Sequence, residues 1–154
     1  MGSYSNFSGA FLLFLFVSFA NGITVFDLKK YGGVPNGKTD STKALQKAWD
    51  DACAAEGSAQ ITIPFGDYLV GPVLFKGKCK GPITIQLDGN LLADTNLNRY
   101  TSNWLEFQYI DGLTIRGRGK LDGQGTTAWP HNNCPDNWKC KLLPMVNFDL
   151  LNIY

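Results

Sequence analysis

Histidines and adjacent carboxylates, which could act as acids or bases in catalysis, are few in this sequence. The chain has one histidine, His131, and one pair of adjacent aspartates, Asp50 and Asp51. A histidine titrates near neutral pH and a carboxylate can exchange a proton with a substrate, so these residues are the first candidates for acid–base chemistry. The stretch RGRGKLDGQG, residues 116–125, adds a Gly-x-Gly spacing of the kind that cradles phosphate groups.

The acid–base candidates do not form a recognisable catalytic set. Asp50 and Asp51 fall within a helical pattern, where neighbouring side chains point about 100° apart and cannot easily share one substrate atom. We interpret them as solvated helix charges. His131 lies in WPHNNC, with no serine or carboxylate at the spacing of a catalytic triad, so we expect an exposed loop histidine.

The glycine-rich stretch does not fit a dinucleotide site. That fingerprint requires Gly-x-Gly-x-x-Gly leading into a helix, whereas the sixth position here is Asp122 and no apolar helical face follows. Gly117 and Gly119 instead predict tight corners between stacked strands, where a side chain would collide with the neighbouring layer. Asp122 is expected to bond to turn backbone.

Composition narrows the class of protein. The 154 residues carry 14 Lys and Arg against 13 Asp and Glu, which leaves no overall field to attract nucleic acid or an anionic membrane. Glycine is plentiful, at 17 residues, and aromatic residues reach 13%. This mixture favours a single β-rich, turn-rich domain over a helical bundle or a disordered chain.

The N-terminus predicts export. Residues 10–20, AFLLFLFVSFA, are uncharged and apolar, are too few to span a bilayer core, and end in small residues. We interpret residues 1–20 as a secretory signal peptide, cleaved after Ala20 or after Gly22, although no Lys or Arg precedes the apolar run. The expected mature domain is residues 21–154.

The cysteines suit an oxidising compartment. Cys53, Cys79, Cys134 and Cys140 allow three pairings into two disulfides, of which Cys53–Cys79 with Cys134–Cys140 is favoured. A zinc site is a weaker alternative, because it would need a close Cys-x-x-Cys pair and histidine partners, and only His131 is present. No metal or cofactor is expected.

One segment has a strong helical pattern, and a helix is predicted over residues 40–55. Its start is expected to be capped by Asp40 or Ser41, and Gly57 is expected to end it in a left-handed conformation. The apolar residues that recur on one helical face are Leu45, Ala48, Trp49, Ala52 and Cys53.

Short β-prone segments follow Gly57, and two of them resemble each other. ITIQLDGNLLA, residues 83–93, aligns without gaps with LTIRGRGKLDG, residues 113–123, so that Thr84 matches Thr114 and Leu91 matches Leu121. A third apolar-Thr-Ile triplet, at 61–63, precedes the one at 83–85 by 22 residues. Recurrence of this kind indicates stacked repeats, and residues 94–103, DTNLNRYTSN, are predicted to be an insertion into a turn.

Three motifs carry a family resemblance. They are FDLKKYGGVPNGKTDSTKALQKAW (26–49), IPFGDYLVGPVLFKGKCKG (63–81) and LTIRGRGKLDGQGTTAW (113–129). In this combination and order they resemble the N-terminal third of a polygalacturonase of glycoside hydrolase family 28, of the plant exopolygalacturonase type. KLLPMVNF, residues 141–148, resembles the point where the next coils of that family begin.

The resemblance implies an all-β fold, a right-handed parallel β-helix of the pectin-lyase type, whose N-terminal end the helix at 40–55 would cap. It also implies hydrolysis of α-1,4 bonds between galacturonic acid units of pectin. That reaction inverts the anomeric carbon and uses a general acid and a general base about 6.5–9.5 Å apart.

The catalytic motifs of the family do not occur in these residues. They are Asn-Thr-Asp, Asp-Asp preceded by Gly or Gln, Gly-His-Gly and Arg-Ile-Lys. We therefore assign no catalytic, cofactor-binding or metal-binding residue. We expect this chain to be a truncated, N-terminal part of a β-helix that is inactive alone.

Basic clusters are the remaining candidates for contact with pectin, which is a polyanion. They are KGKCK (76–80), RGRGK (116–120) and KCK (139–141). A structural role in solvated turns is favoured over weak polyanion contact. Arg116 and Lys120 would lie on the same face of a strand only if one strand included both residues.

Trp129 precedes the favoured Cys134–Cys140 loop, and Trp138 lies within it. An exposed tryptophan can stack on a sugar ring, but tryptophan is mostly buried, and packing is the favoured interpretation.

Two functional hypotheses remain open. The first is a pectin-degrading hydrolase, secreted to the cell wall, of which this chain is the leading portion. The second is a secreted, catalytically silent protein that at most binds pectin. In both cases pectin or polygalacturonate is the expected partner, with no nucleic acid and no membrane. An uncovered last coil also predicts that the chain alone is poorly folded or self-associates.

Overall fold

Residues 22–149 are described by a computed structural model, and the signal peptide predicted at 1–20 lies outside this range. The described chain winds through three parallel sheets and returns to each sheet in turn. Its architecture is therefore a parallel β-helix, as the family resemblance implies. Parallel crossover connections are right-handed in nearly all proteins, which is the sense that we expect here.

The elements are, in chain order, β1 (Thr24–Asp27), β2 (Asn36–Asp40), α1 (Thr42–Ala54), β3 (Ala59–Ile63), β4 (Asp67–Val70), β5 (Val73–Lys76), β6 (Ile83–Leu87), β7 (Asn90–Ala93), β8 (Leu105–Gln108), β9 (Leu113–Arg116), β10 (Leu121–Asp122), α2 (Gly125–Ala128) and β11 (Val146–Asp149). Short 3-10 helices cover Leu28–Tyr31, Leu97–Arg99 and Trp129–His131.

Three sheets form the sides of the column. Sheet A has the order β1-β3-β6-β9, sheet B has β10-β7-β4-β2, and sheet C has β11-β8-β5. The first coil is β1, β2 and α1, the second is β3 to β5, the third is β6 to β8, and the fourth is β9 to β11. The helix thus stands in the first coil where the later coils have a strand of sheet C.

Alternation along each strand fills the column. In β3 and β6 every second residue is buried, which places Ile61 beside Ile85 and Ile63 beside Leu87. Branched side chains in adjacent parallel strands pack well on a pleated surface, and they form the core on the sheet A side.

An aromatic stack runs through the column on the sheet C side. Trp49 of α1 lies 4.9 Å from Phe75, ring centroid to ring centroid. Phe75 lies 4.6 Å from Phe107, which lies 4.8 Å from Phe148 of β11. These rings join the helix to three successive coils, and each aromatic pair adds to the free energy of burial.

The helix covers the N-terminal end of the column, as predicted. Its buried face is Leu45, Ala48, Trp49 and Ala52, with Cys53 partly buried, and it contacts β1, β3 and β5. It begins at Thr42 and ends at Ala54, within the predicted range.

The predicted helix caps are only partly right. Ser41 occupies the N-cap position, but its hydroxyl oxygen accepts a hydrogen bond from the backbone N–H of Val34 and makes no cap bond. The carboxylate of Asp40 accepts from the N–H of Thr42 at 2.8 Å. Gly57 is left-handed, with φ +78°, but the helix has already ended and Ala55 is extended.

The predicted alignment of residues 83–93 with residues 113–123 is confirmed. Thr84 pairs with Thr114 in sheet A, and Leu91 pairs with Leu121 in sheet B. The triplets at 61–63 and 83–85 also lie in neighbouring strands, but Ile61 pairs with Ile85, two residues away from a pairing of triplet with triplet. Shifting the pairing of two strands by two residues keeps the same side chains facing the core. The pattern of apolar residues alone therefore cannot distinguish the two registers.

The connections between sheets differ in length from edge to edge. From sheet A to sheet B they are residues 28–35, 64–66, 88–89 and 117–120. From sheet B to sheet C they grow in successive coils, from 71–72 to 94–104 and then to 123–145. The insertion predicted at 94–103 is the middle one, and the two longest connections of the described column, 94–104 and 123–145, both lie at this edge.

Candidate functional site

The edge between sheets B and C holds cavities large enough for a ligand. We call the connections 71–72, 94–104 and 123–145 the loop edge. Because the coils stack, these connections lie one above the other along the column. Loops supported on a rigid scaffold are where binding residues concentrate in proteins.

Ionic contacts fasten the loop edge to the start of α1. Arg99 forms a salt bridge with Asp40 at 2.8 Å and another with Asp94. The hydroxyl oxygen of Thr42 accepts from the backbone N–H of Gly71 at 2.7 Å. Arg99 thereby holds the middle connection to Asp40 at the end of β2, just before α1, and also bonds to Asp94, the first residue of the same connection.

These contacts lower the pKa of Asp40. Partial burial acts to raise its pKa, but hydrogen bonds from Thr42 and the guanidinium of Arg99 outweigh burial and hold the pKa below its ordinary value. The charged form of Asp40 is therefore the one that the fold favours.

Tyr100 and Lys141 join two connections of the loop edge. The buried Tyr100 donates its hydroxyl to the carbonyl oxygen of Asp94 at 2.8 Å, and burial together with the charge of Asp94 raises its pKa to about 12. The ammonium of Lys141 donates to the carbonyl oxygen of Tyr100 at 2.7 Å. The 123–145 connection is thus pinned onto the 94–104 connection.

Both disulfides have the favoured pairing. Cys53–Cys79 ties the end of α1 to the connection after β5, and Cys134–Cys140 closes a short loop within 123–145. With these sulfur atoms bonded to each other, the zinc alternative has no thiolate to use. Within residues 22–149, no group of three His, Cys, Asp or Glu side chains is placed to hold a metal ion.

Two of the cavities at the loop edge share Leu143 and Pro144 in their walls. One has a volume of about 330 Å³ and is lined by His131, Lys139 and Lys141 among others. The other has a volume of about 640 Å³ and is lined by residues that include Lys120, Asp122 and Trp129. The first cavity is the more basic of the two, because no acidic residue lines it.

Asp122 and His131 have the local roles predicted for them. Asp122 accepts from the backbone N–H of Gln124 at 2.8 Å, so its carboxylate is engaged in a turn. His131 ends an exposed 3-10 helix. Both residues line cavities, but they line different ones.

The tryptophans of the loop edge are exposed, so the expectation that they pack is wrong. Trp129 is 68% exposed, although its ring lies against Gly125, and Trp138 is 87% exposed. The reason is their position. The 123–145 connection runs outside the column, where no further layer of protein in the described chain covers it.

The basic clusters lie at three different edges of the column. Residues 76–80 lie between sheets C and A, 116–120 between sheets A and B, and 139–141 at the loop edge. Lys80 pairs with Glu56 at 2.7 Å in the first cluster. A single polyanion chain lying along one edge of the column would therefore contact only one of these clusters closely.

Arg116 and Lys120 do not share a strand face. Arg116 is the last residue of β9 in sheet A, where its guanidinium donates to the amide oxygens of Gln86 and Gln60. Lys120 precedes β10 in sheet B. Gly117 and Gly119 make the corner between them, because a Cβ at either would lie 1.9 Å from a backbone carbonyl oxygen.

The adjacent aspartates are helix-surface residues, as interpreted from the sequence. Asp50 accepts from the side chain of Gln46 at 3.0 Å. Asp51 accepts from the hydroxyl of Tyr31 at 2.9 Å, and this hydrogen bond is the main reason why its pKa is lowered. They point to different partners and do not form a catalytic pair.

Among the described residues, no helix is long and apolar enough to cross a membrane.

The fold places this chain among parallel β-helix proteins. A solved structure of a hyperthermoactive exopolygalacturonase from Thermotoga maritima superposes with a TM-score of 0.60, over 81% of this chain and 31% of that one. The two sequences are 19% identical, so this likeness speaks for the fold alone.

Sequence comparison gives the family. Residues 53–152 match the family described as glycosyl hydrolases family 28, and the chain belongs to this family. An exopolygalacturonase of Zea mays is 54% identical over 121 residues, which are 77% of this chain and 30% of that protein. An exopolygalacturonase of Platanus acerifolia is 44% identical, over 83% of this chain and 34% of that protein. The chain thus spans about a third of the length of these relatives.

Proposed function

We propose that the protein hydrolyses α-1,4-galacturonosyl bonds in pectin, with inversion at the anomeric carbon. The observation that carries this proposal is the 54% identity to an exopolygalacturonase of Zea mays. The parallel β-helix agrees with it, because its rigid coils hold a row of connections along one edge, where an extended polysaccharide can lie.

We infer that no residue of this chain performs the chemistry by itself. Inverting hydrolysis needs a carboxylic acid and a carboxylate with a water molecule between them. The four catalytic motifs expected of the family do not occur in these 154 residues. Asp122, the acid in the larger cavity, is engaged by the N–H of Gln124. The 154-residue chain is therefore inactive alone in this account.

The test compares this chain with one lengthened by the downstream coding sequence of the same transcript. Both are secreted from the same host, and reducing ends released from polygalacturonate are measured. We expect release by the lengthened chain and none by the 154-residue chain. A stop codon directly after Tyr154, or an inactive lengthened chain that carries all four motifs, would contradict the hydrolase proposal.

Pectin binding without catalysis is a second candidate function. The observation that favours it is the loop edge, where exposed tryptophans and lysines occur together without the catalytic motifs. A pull-down of the 154-residue chain on immobilised polygalacturonate tests it. Retention that salt abolishes supports binding, and the absence of retention at low salt speaks against it.

We propose that the protein is secreted to the cell wall. The apolar run at residues 10–20 and the two disulfides support export, because disulfides persist in oxidising compartments. N-terminal sequencing of the secreted product tests this. A mature N-terminus at Asn21 or Ile23 supports the proposal, and an uncleaved N-terminus contradicts it.

We also propose that the chain as given self-associates through the end of its fourth coil. Ile115 and Leu121 are 38% and 39% exposed there, whereas their partners one coil earlier, Ile85 and Leu91, are 5% and 3% exposed. Inward-facing side chains of this kind gain free energy when a second apolar surface covers them.

A further inference from the structure

The smaller of the two cavities that share Leu143 and Pro144 has a basic lining. His131, Lys139 and Lys141 line it together with the amides Asn133 and Asn137, and no Asp or Glu is among its lining residues. The whole chain is nearly neutral, with 14 basic and 13 acidic residues, so a cavity with only basic ionisable groups is a local departure from the average.

The wall of this cavity is held in shape. The Cys134–Cys140 disulfide closes one side of it. Within that loop, the side-chain oxygen of Asn137 accepts a hydrogen bond from the backbone N–H of Lys139 at 3.0 Å. The backbone carbonyl oxygen of Asn137 accepts one from the N–H of Cys140 at 3.0 Å. A loop fixed in this way loses little further freedom when a ligand binds, which favours affinity.

The two lysines have different tasks. Lys141 donates to the carbonyl oxygen of Tyr100, so its ammonium is fixed at the junction of two connections. Lys139 has its ammonium 4.7 Å from the ring centroid of the exposed Trp138. Lys139 is therefore the cation that can turn to meet a ligand without breaking a hydrogen bond shown in the structure.

The size of the cavity suits a small polar ligand. Its volume, about 330 Å³, lies at the lower end of the range of about 300–1,000 Å³ that small-molecule sites have. Lysine and amide side chains recognise a carboxylate through charge-assisted hydrogen bonds, and the amides can also bond sugar hydroxyls.

We propose that this cavity is a binding subsite for a carboxylate-bearing sugar of an acidic polysaccharide, with Lys139 as its specificity-determining cation. The sugar class rests on the proposed function, while the preference for an anion follows from the lining residues alone. The subsite binds the polysaccharide and takes no part in bond cleavage.

The experiment titrates the 154-residue chain, purified from a secreting host, with a galacturonate oligomer of defined length. The variants are Lys139→Gln and a matched control, Lys43→Gln, which removes a likewise exposed charge from α1. We expect Lys139→Gln to weaken binding about three- to tenfold and Lys43→Gln to leave it unchanged. Binding should also weaken with added salt.

Two further ligands separate the alternatives. A neutral galactose oligomer of the same length should not bind, and inorganic phosphate should compete only weakly. Equal binding of the neutral oligomer, equal competition by phosphate, or equal affinity of Lys139→Gln and the unmodified chain would overturn the subsite.

Failure of the subsite and failure of the proposed function are distinguishable. If the lengthened chain releases reducing ends from polygalacturonate while Lys139→Gln changes neither its KM nor oligomer binding, the subsite is wrong and the hydrolase stands. If the lengthened chain is inactive but oligomer binding depends on Lys139, the hydrolase is wrong and the subsite stands.

Discussion

Two buried tyrosines, Tyr68 and Tyr100, differ in what their hydroxyl groups contact. Tyr100 donates to the carbonyl oxygen of Asp94, whereas the hydroxyl of Tyr68 has no hydrogen-bond partner among the described residues. Burial raises the pKa of Tyr68, with a further contribution from the charge of Asp27. A buried polar group without a partner costs free energy, so the two residues should respond differently to loss of the hydroxyl.

We therefore predict that Tyr68→Phe leaves the free energy of unfolding unchanged or raises it by up to about 1 kcal/mol. Tyr100→Phe should lower it by about 1 kcal/mol, because the bond to Asp94 is lost. Urea unfolding of both variants is the measurement. A loss of stability in Tyr68→Phe as large as that in Tyr100→Phe would mean that the Tyr68 hydroxyl is satisfied.

The lowered pKa of Asp40 predicts a dependence of stability on pH. A carboxyl whose pKa is lower in the folded than in the unfolded state stabilises the fold above its unfolded pKa, close to 3.8. This contribution is lost as the pH falls through the folded pKa. Asp40 is partly exposed, so screening keeps the effect small, below about 1 kcal/mol.

The measurement is urea unfolding at pH 7 and at pH 3. The unmodified chain should lose more stability on acidification than Asp40→Asn, which has no charge at this position to lose. Asp67→Asn, which removes another exposed carboxylate, is the control. If the Asp40→Asn variant and the unmodified chain lost the same free energy of unfolding on acidification, Arg99 and Thr42 would not be stabilising the charged form of Asp40.

At the scale of elements, the corners between sheets A and B depend on glycine for close approach. A Cβ at Gly119 would lie 1.9 Å from the carbonyl oxygen of Gly89, whereas a Cβ at Gly123 has no atom within 4 Å. We predict that Gly119→Ala lowers the free energy of unfolding by more than about 2 kcal/mol, and that Gly123→Ala changes it by less than about 0.5 kcal/mol. Thermal unfolding of the two variants is the measurement. An equal loss of stability in both would show that close approach of the backbone does not require glycine at position 119.

The two disulfides should differ in their contribution to stability. Cys53 and Cys79 are 26 residues apart, and Cys134 and Cys140 are 6 apart. Loop-closure entropy then predicts losses of about 3–4 and about 2 kcal/mol for the paired alanine variants. Chemical denaturation of both variants measures the difference. A larger loss from the short loop would show that chain entropy does not decide the order.

Several elements are predictable from the sequence because their signals are local. The helical face around Trp49 and the similarity between residues 83–93 and 113–123 both lie in contiguous stretches, and both are confirmed. The register of β3 on β6 is not predictable in this way, because two registers that differ by one full alternation bury the same side chains. Only the length of the intervening turns decides between them.

The loop edge is the part that the sequence predicts least. Trp129 and Trp138 look like packing residues by type, and their exposure follows from the path of a long connection that no local pattern specifies. The salt bridge of Arg99 with Asp40 joins residues far apart in the chain, so no local signal marks it. The basic cavity likewise forms only when two connections stack.

At the scale of the whole molecule, the exposed end of the fourth coil predicts self-association. Leu121 faces into the column from β10, while the more exposed Leu142 lies on the loop edge. We expect the 154-residue chain to form larger species as its concentration rises. Leu121→Glu should reduce this association, and Leu142→Glu, the control, should leave it unchanged. Sedimentation velocity gives the size distribution, and a monodisperse monomer at every concentration would contradict the prediction.

The central claim is that this chain is a column of parallel coils with a defined register between them. Thr84 pairs with Thr114 in neighbouring parallel strands, about 4.8 Å apart, within the reach of a disulfide. Arg116 lies further along β9, so it is offset from Thr84 and about 8 Å away, beyond that reach.

The most direct test is peptide mapping of two double-cysteine variants under non-reducing conditions. Thr84→Cys with Thr114→Cys should give the new disulfide in high yield, with both native disulfides kept. Thr84→Cys with Arg116→Cys should not. A cross-link that forms only in the offset pair, or equally in both, would contradict the stacked coils.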